Sequence, residues 1–364
     1  MSMMADILKQ AVSLNASDIH IKPDKSPFFR INGQLSDSGL SVVPANNIMP
    51  VLNSILPPHL KKVERSVLEL DFSFLEENVG RFRVNVFYSR TLPNLSFRYV
   101  KEKVPTFEEI NLPPTLSRLA SADSGLIMVC GATSSGKSTT LAAIIDFINK
   151  TQCCRIITVE DPVEYVFKDD KSFITQREVG LDTISFHAAL KHVVREDPDI
   201  IMIGEMRDHI SFSVALSAAE TGHLVLSTLH VNSAANIVHR ILDFFPQNER
   251  DQVRISLANY LVAALCQRLL PAAKGGGVLP AVEIMIKTPT VRKLIMENQI
   301  DTLSDAIETG EEDGMQTFNQ VIYKLIKSGD ITEEIGMTHS PRPEALKMNM
   351  QGIFLDEGKR ILGK

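Results

Sequence analysis

The chain has 364 residues, long enough for two or three domains of ordinary size. Apolar residues make up 44% and charged residues 23%, which supplies a core and excludes global disorder. A net charge of −6 speaks against a dedicated nucleic-acid binder, and no basic-aromatic cluster offsets it.

In chain order, residues 1–100 read as a small α+β unit. ADILKQAVSL has helical spacing, while SDIHIKP and FFRINGQL alternate in the period of two that strands require, with Asn32-Gly33 as a turn. DFSFLEE, GRFRVNVFYSR and NLSFRYV are further strands. Arg81 and Arg83 are two apart and share one strand face. KEKVPTFEEINLPPTLSRL, 101–119, carries Pro105, Pro113 and Pro114 and reads as a linker ending in a helix.

From about 120, short apolar strands alternate with helices, the pattern of a parallel sheet. LIMVC, RIITV, DIIMIG and HLVLSTL have the composition of strands buried on both faces, separated by helices such as STTLAAIIDFINK and SFHAALKHVVRE. After about 270, KGGG reads as a flexible break, and 271–364 as mainly helical with a loosely docked tail. No apolar run reaches the roughly 20 residues of a membrane span, and MSMMADILKQAVSL lacks a signal-peptide layout. The four cysteines, at 130, 153, 154 and 266, have no C-x-x-C spacing and read as buried thiols.

GATSSGKSTT, 131–140, follows a strand and opens a helix. Gly131-x-x-x-x-Gly136-Lys137-Ser138 fits a phosphate-binding loop, in which glycines turn backbone N–H groups inward and the helix adds its positive end. Lys137 is placed at the β- and γ-phosphates and Ser138 on Mg²⁺; Gly131, Thr133, Ser134, Ser135, Gly136 and Thr139 complete the candidate nucleotide site. Two acidic strand ends follow. RIITVEDPVEY supplies Glu160 and Glu164, and DPDIIMIGEMRD supplies Glu205, near the Mg²⁺ water shell; ligands bind at this carboxyl edge of a parallel sheet. His223 and His230 bracket the apolar strand of ETGHLVLSTLHVNSA, where a histidine can report a γ-phosphate. They do not suggest a metal site, because no third ligand has suitable spacing.

These blocks resemble the motor ATPases of type IV pilus and type II secretion systems. GATSSGKST is similar to their Walker A loop, IITVEDPVEYVF to their Asp box, REDPDIIMIGEMRD to their Glu-ending Walker B and AAETGHLVLSTLHVNSA to their His box. ITQREVGLDTISF, RILDFFP and GMQTFNQ extend the likeness, and NASDIHIKP with GRFRVNVF resembles the family's PAS-like domain. The retraction branch is the nearest: the chain lacks paired C-x-x-C zinc cysteines and an extra N-terminal domain, and GMQTFNQ with the helices after it resembles that branch's C-terminal region. VRKLIMEN departs from the branch's AIRNLIRE element, keeping Arg292, Leu294, Ile295 and Glu297 but not the rest. Ser134 and Ala132 stand where the family loop usually has Gly and Pro.

The resemblance implies an α/β chain: a PAS-like N-terminal domain (1–100), a hinge linker (101–119), a RecA-like ATPase core (120–270) and a C-terminal helical region (271–364). It implies a homo-hexameric ATPase using ATP and Mg²⁺, cytoplasmic and peripheral to the inner membrane at the pilus base. Its partners would be a pilus platform protein and other pilus ATPases, with no nucleic acid and no membrane insertion. Glu205, Glu164 and Glu160 become candidates for handling the attacking water, His230 and His223 for sensing the γ-phosphate, and Arg81, Arg83, Arg98 and Arg195 for stabilising transition-state charge. Other motors of the same fold, an accessory paralogue and a non-hydrolytic nucleotide-binding scaffold are the alternative readings.

Overall fold

The computed structural model describes residues 3–31, 33–57, 60–62, 68–100 and 103–353. Asn32 of the expected turn, residues 101–102 of the expected linker and residues 354–364 of the expected tail lie outside them. The chain forms two compact units: one of 1–103 with 161–167 and 178–183, the other of 104–160, 168–177 and 184–364.

The first unit runs α1 (Met3–Ser13), β1 (Asp18–Ile21), β2 (Phe28–Ile31), β3 (Gln34–Asp37), α2 (Ala45–Ile55), β4 (Glu69–Glu76), β5 (Gly80–Ser89) and β6 (Leu92–Val100). The strands form a six-stranded sheet, β3-β2-β1-β6-β5-β4, in which neighbouring strands are antiparallel. Strand alternation decides its faces: Phe82, Val84 and Val86 are buried, while Arg81, Arg83 and Asn85 between them are partly exposed. Met4, Ile7, Leu8 and Ala11, at helical spacing, bury one stripe of α1 in the same core.

The second unit opens with α3 (Thr115–Ala120), β7 (Gly125–Cys130), α4 (Lys137–Thr151), β8 (Arg155–Glu160) and β9 (Phe173–Glu178, whose last residue packs with the first unit). It continues with α5 (Phe186–Val193), β10 (Ile200–Ile203), α6 (His209–Glu220), β11 (Leu224–Leu229), α7 (Ile237–Leu242), α8 (Arg250–Tyr260), β12 (Leu261–Pro271) and β13 (Val278–Ile286). Helices α9 (Pro289–Met296), α10 (Leu303–Thr309), α11 (Phe318–Ser328), α12 (Glu333–His339) and α13 (Pro343–Met350) close it. The seven-stranded sheet has the order β13-β12-β7-β11-β10-β8-β9, and β12, β7, β11, β10 and β8 run parallel. Every residue of β7, β10 and β11 is buried, as strands covered on both faces must be.

Two regions depart from the sequence-based expectation. KGGG is no break: β12 and β13 pair antiparallel from Ala263↔Ile286 to Pro271↔Val278, and Gly275 and Gly276 turn the hairpin at positive φ. Residues 278–286 are therefore strand inside a stretch expected to be helical, because VLPAVEIMI is apolar on both sides and carries no periodicity to separate a strand from a helix. The cysteines also divide. Cys130 and Cys266 are buried, but Cys153 is exposed and Cys154 half-buried, since both lie in the connection leaving α4. Burial pushes the Cys130 thiol well above its ordinary range; burial, then the Glu283 charge, pushes Cys266 up to about 12, so both are inert as nucleophiles.

Candidate functional site

The loop between β7 and α4 takes the shape its glycines allow. Gly131 has φ 144° and Gly136 φ 88°. A Cβ on Gly131 would stand 2.4 Å from Ser135 Oγ and 2.5 Å from the Gln267 carbonyl oxygen, so no side chain fits. Ser134 adopts φ 64°, the left-handed region, which accounts for glycine being usual there and costs this chain about 1–2 kcal/mol. Gly136 is the N-cap of helix α4 and makes no side-chain cap hydrogen bond, and a helix N-terminus of this kind suits an anion. Ser135 Oγ is buried without a hydrogen-bond partner, a second feature that suits an oxygen-rich guest. The Lys137 ammonium donates to the Gly131 and Ala132 carbonyls at 3.0 and 2.8 Å, folded across its own loop.

The strand order sets what surrounds this loop. Cys130 pairs with Leu229, so the loop and His230 leave adjacent strands at the same edge. Strand β10 lies next, and its continuation, Gly204-Glu205, brings Glu205 Oε1 to 3.3 Å from His230 Nε2; Arg207 holds Oε2 at 2.8 Å. Thr228 Oγ1 donates to the Gly204 carbonyl at 2.7 Å and fixes that strand end. Glu160 ends β8, beside β10, and is buried; its Oε1 accepts from Thr158 at 2.6 Å and Gln176 at 3.0 Å. One edge of the sheet thus carries the loop, His230, Glu205 and Glu160 in spatial order.

Other candidates lie elsewhere. His223 precedes β11 at its amino end, where Nδ1 approaches the Ala218 carbonyl at 2.9 Å and Thr221 Oγ1 at 3.2 Å. The six residues of β11 span roughly 20 Å at the usual rise, so the structure keeps His223 away from the loop and makes it a closing residue of α6. Arg195 is exposed on the 3-10 turn 194–196 that feeds the amino end of β10, again the opposite edge.

Glu164 belongs to the first unit. It lines a cavity of about 160 Å³ with Arg83, Arg98, Tyr99 and the 162–165 segment. Arg98 Nε also donates to Asp18 at 2.8 Å. Burial raises the Asp18 carboxyl, but hydrogen bonds from Ser17 and Arg98 outweigh it and hold the group below its ordinary value. Arg81 faces the same side of β5 as Arg83 but is engaged: it donates to the buried Glu178 carboxylate at 2.8 Å, which also accepts from the Val163 amide at 3.1 Å. Arg81 and Glu178 therefore pin the segment that carries Glu164.

Neither Arg207 nor Gln267 has a role that the sequence motifs assign. Arg207 was legible two residues beyond Glu205 in GEMRD, and Gln267 stands with Arg268 as a polar pair inside the apolar run LVAALCQRLL.

A glycine loop between a strand and its helix, with acids ending the neighbouring parallel strands, defines a P-loop nucleoside-triphosphate-hydrolase core. The family model for type II/IV secretion system proteins matches residues 1–324, and the chain belongs to that family. It is 41% identical over 321 residues to a twitching motility protein of Neisseria gonorrhoeae, covering 88% of this chain and 86% of that one. It is 39% identical over 341 residues to the type IV pilus retraction ATPase PilT of Pseudomonas aeruginosa, covering 94% and 99%. The crystal structure of the pilus retraction motor PilT with bound ADP superposes with a TM-score of 0.89 at 43% identity, over 95% of this chain and 99% of that one. The core is RecA-like, and the protein is a nucleotide-binding ATPase.

Proposed function

We propose that this protein is a ring-shaped hexameric motor whose ATP hydrolysis drives retraction of a type IV pilus. The observation that carries the reading is the single sheet edge holding the phosphate loop, Glu205 and His230. The likeness to PilT over nearly its whole length supplies the pilus. No helix among the described residues is long and apolar enough to cross a membrane, and we place the motor in the cytoplasm against a membrane-embedded platform protein at the pilus base.

In this reading the loop amides and Lys137 bind the phosphates, and the ammonium exchanges its two loop carbonyls for phosphate oxygens. Ser138 and Glu205 are the oxygen donors that would hold Mg²⁺, a hard donor set suited to an ion that keeps few protein ligands. Bound there, Mg²⁺ supplies neutralisation of phosphate charge. Glu205 orients the attacking water and takes its proton, with His230 Nε2 placed to follow the change at its carboxylate. Arg83 and Arg98, beside Glu164, stabilise transition-state charge at a site completed by a second copy of the chain. The cycle moves the two units about the 101–119 linker.

The decisive experiment measures ATP turnover of the wild type beside Glu205→Gln, with oligomer size read on the same samples. The expected result is a hexamer whose turnover falls roughly 10²- to 10⁴-fold in the variant, the usual size of a general-base contribution. A wild type that binds nucleotide without turnover at any oligomer size would point instead to a non-hydrolytic scaffold. A deletion strain that is hyperpiliated and cannot retract separates retraction from extension or secretion.

A further inference from the structure

The phosphate loop is backed by β12, the strand that flanks β7 on the side away from the acids. Strand β12 runs parallel to β7, and Gln267 on it is only 4% exposed. Its Oε1 accepts a hydrogen bond from Thr140 Oγ1, in the first turn of α4, at 2.7 Å. Its amide nitrogen packs where a Cβ on Gly136 would stand, 2.8 Å away, and its carbonyl oxygen occupies the same relation to Gly131 at 2.5 Å. One residue thus touches both glycines of the loop and the helix that the loop begins.

The support is stiff. Cys266 and Arg268 flank Gln267 and point to the other side of the strand, as the period of two requires. Cys266 Sγ donates to the Val231 carbonyl at 3.2 Å, and Arg268 donates to the carbonyls of Asn232 and His339 at 3.3 and 2.7 Å. The Arg268 guanidinium also lies 4.2 Å from the centre of the Phe318 ring. These contacts fix β12 in place, so that Gln267 presents a preset surface to the loop.

We infer that Gln267 is a positioning residue for phosphate binding: it holds Gly136 and the first turn of α4 where Lys137 and Ser138 meet the β- and γ-phosphates. The inference rests on the ATPase reading and extends it to a residue that touches no substrate. A hydrogen bond set behind the loop matters because a small displacement of a pre-organised site weakens every contact made through it.

The test is a double-mutant cycle of Gln267→Met, which keeps length without the amide, and Thr140→Val, which keeps shape without the hydroxyl. Dissociation constants for ATP, ADP and AMP are measured on each folded variant, together with the melting temperature without nucleotide. We expect each single variant to weaken ATP and ADP roughly tenfold, the size of one lost hydrogen bond in a buried site, to weaken AMP less than threefold, and the double variant to lose no more than the worse single. Unchanged ATP and ADP affinity overturns the inference, as does an equal loss for all three nucleotides or a lower melting temperature with intact affinity, each of which marks Gln267 as structural only. If Gln267→Met does not fold, Thr140→Val decides alone by the same ATP-to-AMP comparison. A wild type that fails to bind ATP would instead sink the ATPase reading.

Discussion

At the scale of single residues, position along a strand separates groups that look alike in sequence. His223 and His230 bracket the same six-residue strand, yet only His230 reaches a carboxylate of the candidate site. His230→Ala should lower ATP turnover roughly tenfold, about 1.4 kcal/mol on the barrier, because it removes the imidazole that stands 3.3 Å from Glu205. His223→Ala should leave turnover within about twofold and act on the end of α6 alone; equal effects of the two in a steady-state assay would refute this assignment. The same logic sorts the arginines. Arg81, Arg83 and Arg98 share a neighbourhood, but Arg81 is committed to buried Glu178 while Arg83 and Arg98 line a cavity with Glu164. Alternation placed Arg81 and Arg83 on one face from sequence alone. It could not show their partners, because Glu178 is 97 residues away along the chain.

At the scale of elements, local chemistry explains most boundaries. Ser185, Asp208, Thr288, Thr317 and Thr332 each cap a helix by accepting from the backbone three residues on. The segment GMQTFNQ, noted in sequence for its likeness to a family pattern, proves to be the start of α11. Thr317 and Gln320 form a reciprocal capping box there. Thr317→Ala should destabilise the second unit by about 1 kcal/mol in urea unfolding, with turnover at saturating ATP preserved; an unchanged midpoint would mean that packing of Phe318 and Ile322 alone holds the helix. Elements without periodicity were harder to read. ISLANYLVAALCQRLL becomes the end of α8 followed by β12, and FITQRE becomes β9. In each, polar and apolar residues fall in no single period, and sheet pairing rather than propensity selects the strand.

At the scale of the whole molecule, two units with separate cores share one chain that crosses between them at 161–167 and 178–183. Reading domains as consecutive stretches missed these crossings, since a segment of seven residues carries no core of its own and joins whichever unit its side chains can pack against. The proposed nucleotide site lies on the second unit's loop, and a ligand bound there stabilises by mass action. ATP with magnesium at a hundred times its dissociation constant should stabilise the wild type by about 2.7 kcal/mol. Lys137→Ala should melt at the same temperature with or without it in a calorimetric scan; a retained shift would place the nucleotide elsewhere.

The sequence by itself determined the strands of the parallel core, the phosphate loop and the acids that end its neighbours. These features are local: a glycine spacing, a strand-to-helix switch and short apolar runs each act within about ten residues. Only the tertiary structure decided that His230 meets Glu205, that Arg81 is held by Glu178 and that β12 and Gln267 support the loop from behind. Those arrangements depend on strand order and on burial between segments far apart in the chain, and no window of local sequence contains both partners.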